Sequence, residues 1–179
     1  MTIGDVRKQI VPMLEDSNWA EKQLESNDSQ FTRRAYVRSV FAMIEGTLWV
    51  LKQTVLNART APGESKPFSV AEYALLTEKT FHLKSNGKPS EQPKFLRLPD
   101  NLRFIFGLIS KYFDPQLRLD VGTKSWEDFL ASHNLRNRIT HPKTPREFDI
   151  SDEEITTCKR TTAWFYKLVL TVFDSFTRS

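Results

Sequence analysis

Residues Phe31–Arg59 read FTRRAYVRSVFAMIEGTLWVLKQTVLNAR, a stretch with no proline and a single glycine, Gly46. Val37, Phe41, Ile44, Leu48, Leu51 and Val55 recur at intervals of three and four, which places them on one side of a helix. Ala35, Ala42 and Trp49, together with Tyr36, Met43 and Val50, occupy much of the remaining circumference. A helix apolar on most sides is central to a bundle or is sandwiched against a second copy. The expected fold is therefore all-α, a bundle of about five to six helices built around this one.

The flanking segments extend that reading. Ile3, Val6, Ile10 and Leu14 predict a short helix over Ile3–Leu14 that Pro12 interrupts or kinks. Trp19–Leu24 reads as its continuation or as a second turn. Thr60–Pro67 is loop by composition. Ser69 and Glu72 form a capping box with Phe68 and Tyr73 as a hydrophobic staple, opening a helix that runs to about Lys79. Phe81–Leu98 breaks the helical rhythm. Phe81–Lys84 and Phe95–Leu98 flank Asn86-Gly87, Pro89 and Pro93, so this insertion reads as a small β-hairpin with a lengthened loop. Pro99-Asp100-Asn101 opens a helix carrying Leu102, Ile105, Phe106 and Ile109 and ending at Phe113.

A further helix begins near Ser125, its expected N-cap, with Asp128 as the acid three residues on. Ser151 and Glu154 make a second capping box, with Ile150 and Ile155 as its staple. The last helix carries Ile155, Cys158, Thr162, Phe165, Val169, Val172 and Phe176 along one seam, expected to pack on Phe31–Arg59. No repeat or linker divides the chain, so residues 1–179 are expected to form one domain with an insertion at 81–98.

Composition narrows the classes. The 179 residues are 39% hydrophobic and 27% charged, proportions of an ordinary globular chain rather than a disordered one. No apolar run approaches the roughly 18 residues that span a bilayer. Met1–Asp5 lacks a charged-then-apolar signal pattern, and the lone Cys158 can form no internal disulfide. A cytoplasmic protein is the expectation. Cys158 falls within an apolar seam, as a small core residue would. No zinc-spaced Cys/His set, Gly-rich phosphate loop or Gly-x-Ser-x-Gly is present, so neither metal nor cofactor is expected. A net charge of +4 is mildly compatible with an anionic partner.

The chemistry concentrates in Leu135-Arg136-Asn137-Arg138-Ile139-Thr140-His141-Pro142. On an ideal helix Trp126, Phe129 and Leu130 share an arc that His133, Arg136, Asn137 and Thr140 continue, with His141 at its margin. The face that begins apolar ends cationic and polar, as happens when a helix end leaves the core to line a cleft. Arg136 and His141 are separated by roughly 7.5 Å of rise and about 140° of azimuth. Pro142 disfavours helical geometry at His141 and so lets it swing. The patch offers a planar cation for phosphate, an amide to orient and an imidazole to move a proton. The plainer alternative is that Arg and His complement the helix dipole and Pro142 stops the helix.

Arg136-Asn137-Arg138-Ile139-Thr140-His141 resembles the Arg-polar-x-x-x-His signature of the HEPN superfamily, the higher eukaryotes and prokaryotes nucleotide-binding domains. That family is all-α, with its signature ahead of a long final helix. Many members are metal-independent endoribonucleases of toxin–antitoxin and phage- or stress-defence systems, and they dimerise so that two motifs face one RNA-binding cleft.

The resemblance implies Arg136, Asn137 and His141 as catalytic residues and RNA as substrate. It further implies a homodimer with a composite site, and an antitoxin or other regulatory protein as a possible partner. The 2′-hydroxyl would attack the adjacent phosphorus, leaving a 2′,3′-cyclic phosphate and a 5′-hydroxyl. His141 would move a proton, Arg136 would hold the phosphate and Asn137 would orient RNA or the histidine.

Arg138 and Lys143 are RNA-binding or interface candidates outside that arc, and His133 is a supporting one. Glu45 belongs to a narrow polar line, Arg34, Arg38, Glu45 and Lys52, and its neighbours one turn away are Phe41, Ala42, Leu48 and Trp49. A carboxylate so placed needs a tertiary partner. Arg136 is the expected one, and the competing reading is a Glu45 that reaches water or pairs with an arginine elsewhere. Lys84, Lys88, Lys94 and Arg97 make the insertion basic, either to guide RNA or simply as a solvated loop.

Two further readings stand beside the ribonuclease. One is a catalytically inactive HEPN-like dimer that binds RNA, a nucleotide or a protein. The other is a structural bundle in which the motif is accidental and Arg136 and His141 point away from any cleft.

Overall fold

A computed structural model describes residues 3–59 and 68–178, with the side chains of 3, 4, 58, 59 and 175–178 left aside. The expected loop Thr60–Pro67 and the seam residue Phe176 therefore lie outside what is described. The elements run α1 (Ile3–Ser26), α2 (Gln30–Arg59), α3 (Val70–Leu76), β1 (Lys79–Leu83), β2 (Pro89–Pro93), α4 (Leu98–Tyr112), α5 (Lys124–Thr140), a 3₁₀ turn (Pro145–Phe148) and α6 (Asp152–Arg178). The protein is all-α, with a two-stranded hairpin as the sole sheet among the described residues. No described helix is long and apolar enough to cross a membrane.

α2 is the centre of the bundle. Its stripe Val37, Phe41, Ile44, Leu48, Leu51 and Val55 is buried, as are Tyr36, Met43 and Val50. One strip stays open: Arg38, Ala42, Glu45 and Trp49 are exposed, each three or four residues from the next. α1 lies against α2 closely enough that a Cβ on Gly46 would fall 2.1 Å from Met13 Sδ. The absent Cβ leaves the room that the Met13 side chain fills.

α1 is one helix in which Trp19–Leu24 is the continuation rather than a second turn, and Pro12 sits inside it. Pro12 and Lys8 are both exposed, so the Lys8 carbonyl that proline leaves unpaired can be hydrated. α6 buries Ile155, Cys158, Thr162, Phe165, Val169 and Val172. It joins α2 through the Tyr36–Thr162 hydroxyl pair at 3.1 Å and α5 through the Ser132–Thr161 pair at 3.0 Å. Burial pushes the Cys158 thiol up to about 12, so it is an inert core group.

Several boundaries depart from the sequence reading. α3 stops at Leu76 because Glu78 adopts a left-handed backbone (φ 55°) and turns the chain into β1. Its capping box at Ser69 and Glu72 forms, but Phe68 packs edge-on against Tyr112 at 5.3 Å while Tyr73 is exposed, so the staple is absent. The second strand is Pro89–Pro93 rather than Phe95–Leu98, with Leu83 opposite Pro89 and Lys79 opposite Pro93. Both prolines occupy strand ends, where a missing donor is tolerated. The tight loop Ser85-Asn86-Gly87 closes with Gly87 at φ 76° and Lys84 N–H donating to Lys88 O at 2.9 Å.

α5 is capped by Thr123 instead of Ser125. Asp128 is thereby spared from capping and pairs with Arg160 of α6 at 2.7 Å. The Ser151–Glu154 box forms as expected, and Gln30 clamps Ile150 by accepting from its N–H (2.8 Å) and donating to its carbonyl (2.9 Å). The α5–α6 connection is thus pinned to the start of α2.

Candidate functional site

α5 positions the polar end of its arc by burying the apolar beginning. Trp126 and Phe129 are in the core with ring centroids 5.1 Å apart, and Phe129 stacks on His133 at 6.3 Å. Phe41 of α2 fills the space between the two helices. Its ring lies 6.1 Å from His133 and 5.6 Å from the Arg136 guanidinium carbon. From Trp126 to Thr140 the same face passes from buried through half-buried to exposed.

Arg136 forms an ion pair with Glu45, the partner expected for that isolated carboxylate. Arg136 Nη1 also donates to Asn137 Oδ1 at 3.2 Å, and Asn137 Nδ2 lies 3.4 Å from His133 Nε2. Burial holds the His133 imidazole below its usual range, so at neutral pH it is uncharged and can accept from that amide. Burial also weakens the proton affinity of Arg136, but an arginine keeps its charge in proteins. Glu45 supplies the opposing charge.

These four residues line a cleft of about 500 Å³, closed on its far side by the segment Phe95–Leu98 and Asn101 and by Glu78. Trp49 and Phe95, both half or more exposed, stand among the lining residues. Asn101 Oδ1 is buried without a hydrogen-bond partner. Glu78 is bound through Oε1 to Lys52 Nζ at 2.8 Å, and Lys52 is 1% exposed. The cleft thus sets two carboxylates, Glu45 and Glu78, against two guanidiniums, Arg97 and Arg136, with amides and an imidazole between them.

Comparison with protein-family models, curated proteins and solved structures finds no match.

The structure brings Glu45, His133, Arg136 and Asn137 together. It does not bring His141 into the same cleft. His141 is the C-cap of α5 (φ −127°, ψ 57°), its N–H donating to Asn137 O at 3.0 Å, and its side chain is exposed. As Pro142 requires, the residue has left the helix. Beside it, Arg38 of α2 donates through Nη2 to Ile139 O at 3.1 Å and so binds one of the last carbonyls of α5.

Arg138 is used within the fold. Its Nη2 donates to Asp149 O at 2.8 Å and pairs with Glu154 at 3.0 Å, tying α5 to the start of α6, while its buried Nε has no hydrogen-bond partner. Lys143 is exposed, its backbone N–H donating to Glu147 Oε2 at 2.7 Å. His82 is exposed on the hairpin and is not among the cleft residues. Among the described residues no group of three or more His, Cys, Asp or Glu is placed to hold a metal ion.

Sequence reasoning missed Glu78, Lys52 and Asn101. Lys52 was accessible to it. The neighbours of Lys52 one turn away are Leu48, Trp49, Val55 and Leu56, the same apolar surroundings that single out Glu45. Glu78 and Asn101 carry no comparable signal, because each reaches the cleft from an element end.

Proposed function

We propose that this chain is a metal-independent endoribonuclease of the HEPN kind, acting in the cytoplasm as a toxin or in phage or stress defence. A two-fold dimer completes its site. The observation that carries this reading is the Arg136 guanidinium, oriented by Glu45 and Asn137 on the face of α5 that emerges from the core. A guanidinium held in this way is suited to a phosphodiester and to the charge that builds up on it.

In the proposed reaction the 2′-oxygen forms a bond to phosphorus as the bond from phosphorus to the 5′-oxygen breaks. One His141 imidazole takes the 2′-proton, and the partner subunit's copy of that imidazole protonates the departing 5′-oxygen. Two-fold symmetry supplies the second histidine that one chain lacks. The open strip of α2, Arg38, Ala42, Glu45 and Trp49, lies beside this end of α5 and gives a second copy an apolar and charged surface to cover. An antitoxin or regulatory protein is a further partner under this reading.

The test is incubation of purified protein with a generic RNA in excess chelator. Cleavage that leaves 2′,3′-cyclic phosphate ends and is lost in His141→Ala and Arg136→Ala is the expected result. Intact RNA at every protein concentration, with the protein folded, overturns it.

One observation favours the second reading, an inactive dimer that binds RNA, a nucleotide or a protein. Glu45 already neutralises Arg136, and His141 lies outside the cleft. In that case the same variants weaken binding while wild type cleaves nothing.

A further inference from the structure

α4 has a second pocket on its other side. Arg103 and Asn101 project roughly 200° apart around the helix, so the residues that line the α5 cleft face away from this one. A cavity of about 420 Å³ is lined by Arg103, Gly107, Ser110 and Lys111 of α4 and by Arg118 of the segment that follows, with apolar walls between them. Its charge sets it apart. Three cations line it and no carboxylate does, whereas the α5 cleft balances two of each sign.

The cations are held in place. The Arg103 guanidinium carbon lies 4.9 Å from the ring centroid of buried Trp126, which fixes its plane and leaves its N–H edge available. Lys111 Nζ is 2.6 Å from Glu72 Oε1 and 4.7 Å from the Tyr112 ring centroid. Glu72 itself is fully committed: burial would raise its pKa, but hydrogen bonds from Lys111, the Ser69 N–H and Tyr112 outweigh this and hold it at about 2. Arg103 and Arg118 form no ion pair with the described residues, in contrast to Arg33, Arg136, Arg138 and Arg160. The helix surface between them is bare. A Cβ on Gly107 would meet nothing within 4 Å, so an anion can approach the α4 backbone directly. The Ser110 hydroxyl reaches only a long contact, 3.4 Å to Pro115 O, and can turn toward a ligand.

We propose that this pocket binds a phosphoryl group, with Arg103 and Arg118 as its main ligands, Lys111 as a third charge and Gly107 as the floor. Planar guanidiniums arranged around an open space match an oxyanion carrying several acceptors. The phosphoryl group belongs either to an RNA strand or to a free phosphorylated small molecule. The proposal does not depend on cleavage at the α5 end.

The experiment is calorimetric titration of the full chain with inorganic pyrophosphate. Saturable one-to-one binding is expected, about tenfold weaker in Arg103→Gln and in Arg118→Gln, as for loss of a charge-assisted contact. Gly107→Leu keeps every charge, favours the helix and fills the floor, so it should abolish binding while the far-ultraviolet spectrum stays native. Arg136→Ala should bind like wild type. Binding that never saturates, or that is equal in wild type, Arg103→Gln and Arg118→Gln, overturns the proposal. The exposed loop residue Arg118 decides the matter if Gly107→Leu does not fold. A short single-stranded oligoribonucleotide, titrated in the His141→Ala background, then identifies the source. Matching losses for oligonucleotide and pyrophosphate in Arg118→Gln assign the pocket to the RNA strand. A loss confined to pyrophosphate assigns it to a free phosphorylated molecule.

Discussion

Glu45 and Arg136 close the gap between α2 and α5 with an ion pair that rests on the Phe41 ring. The Glu45 side chain is 47% exposed and that of Arg136 is 21% exposed, so the pair belongs to the range of partly solvated contacts worth about 0–1 kcal/mol. Its role is therefore one of aim more than of stability. Under the proposed ribonuclease reading, Glu45→Gln is expected to lower RNA cleavage about tenfold and to leave the melting temperature nearly unchanged. Equal cleavage by Glu45→Gln and wild type would show that Arg136 is oriented by something else.

His141→Ala and Arg136→Ala should each reduce cleavage by roughly a hundredfold or more, the scale of a lost proton-transfer group or transition-state donor. Because His141 is exposed, its variant should keep wild-type stability in urea. Mixing the two variants offers a sharper check. Heterodimers keep a single His141 and should stay as slow as His141→Ala, because the proposed reaction uses both copies of that imidazole; recovered activity would show that one copy suffices.

His133 gives a pH signature that does not depend on activity. Its folded pKa lies below the ordinary histidine value because burial penalises the imidazolium. The unfolded chain therefore binds the proton more readily in that interval, and stability rises with pH there. The contribution of His133 is complete above about 6.5 and is lost as pH falls through the lower folded value. Urea midpoints measured from pH 7.5 downward should fall in wild type, and the slope should flatten in His133→Gln. A slope unchanged by that substitution would assign the loss to other groups.

The Lys52–Glu78 pair is asymmetric in burial, 1% against 30% for the side chains. Glu78→Gln strands a buried ammonium and is expected to cost ~3–5 kcal/mol. Lys52→Met leaves a carboxylate that can reach water, so it should cost less. The double variant should be more stable than Glu78→Gln alone. Urea unfolding of all four proteins measures this coupling, and simple additivity of the two changes would rule it out.

At Gly46 two effects of opposite sign compete. Alanine in a helix interior is favoured over glycine by ~1 kcal/mol, while Met13 Sδ stands where the new methyl must go. Methionine is flexible enough to rotate aside, so Gly46→Ala should be close to neutral. Gly46→Val cannot be absorbed in that way and should cost ~1–3 kcal/mol by overpacking. Pairing it with Met13→Ala should recover part of the loss in thermal unfolding.

What could be read from the sequence followed from local regularity. The α2 stripe, the Ser69 and Ser151 capping boxes and the seam of α6 each rest on spacing within one helix, and the structure contains all three. The Glu45–Arg136 contact was legible for a related reason, since a charge with apolar neighbours on its own helix must look elsewhere for a partner. The failures are of a different kind. The end of α3 is set by one residue with a left-handed backbone, Glu78, a conformation that side-chain type alone does not announce. Pro12 was expected to interrupt or kink the first helix, yet α1 runs on through it, and solvent can serve the carbonyl it frees. Phe95 suggested a strand by its apolar character, yet it is exposed at the cleft rim and β2 precedes it. The position of His141 relative to Arg136 depends on how the chain turns at Pro142, which periodicity does not address.

Glu78 ends one helix, accepts from Lys94 N–H through its carbonyl at 2.7 Å, neutralises Lys52 and contributes a wall of the cleft. The hairpin is thereby rooted in a residue the cleft shares. A molecule that grips the basic tip and drags the strands outward would unseat that carboxylate, baring an ammonium deep inside the bundle. Displacing the root of the hairpin would therefore also displace a wall of the pocket.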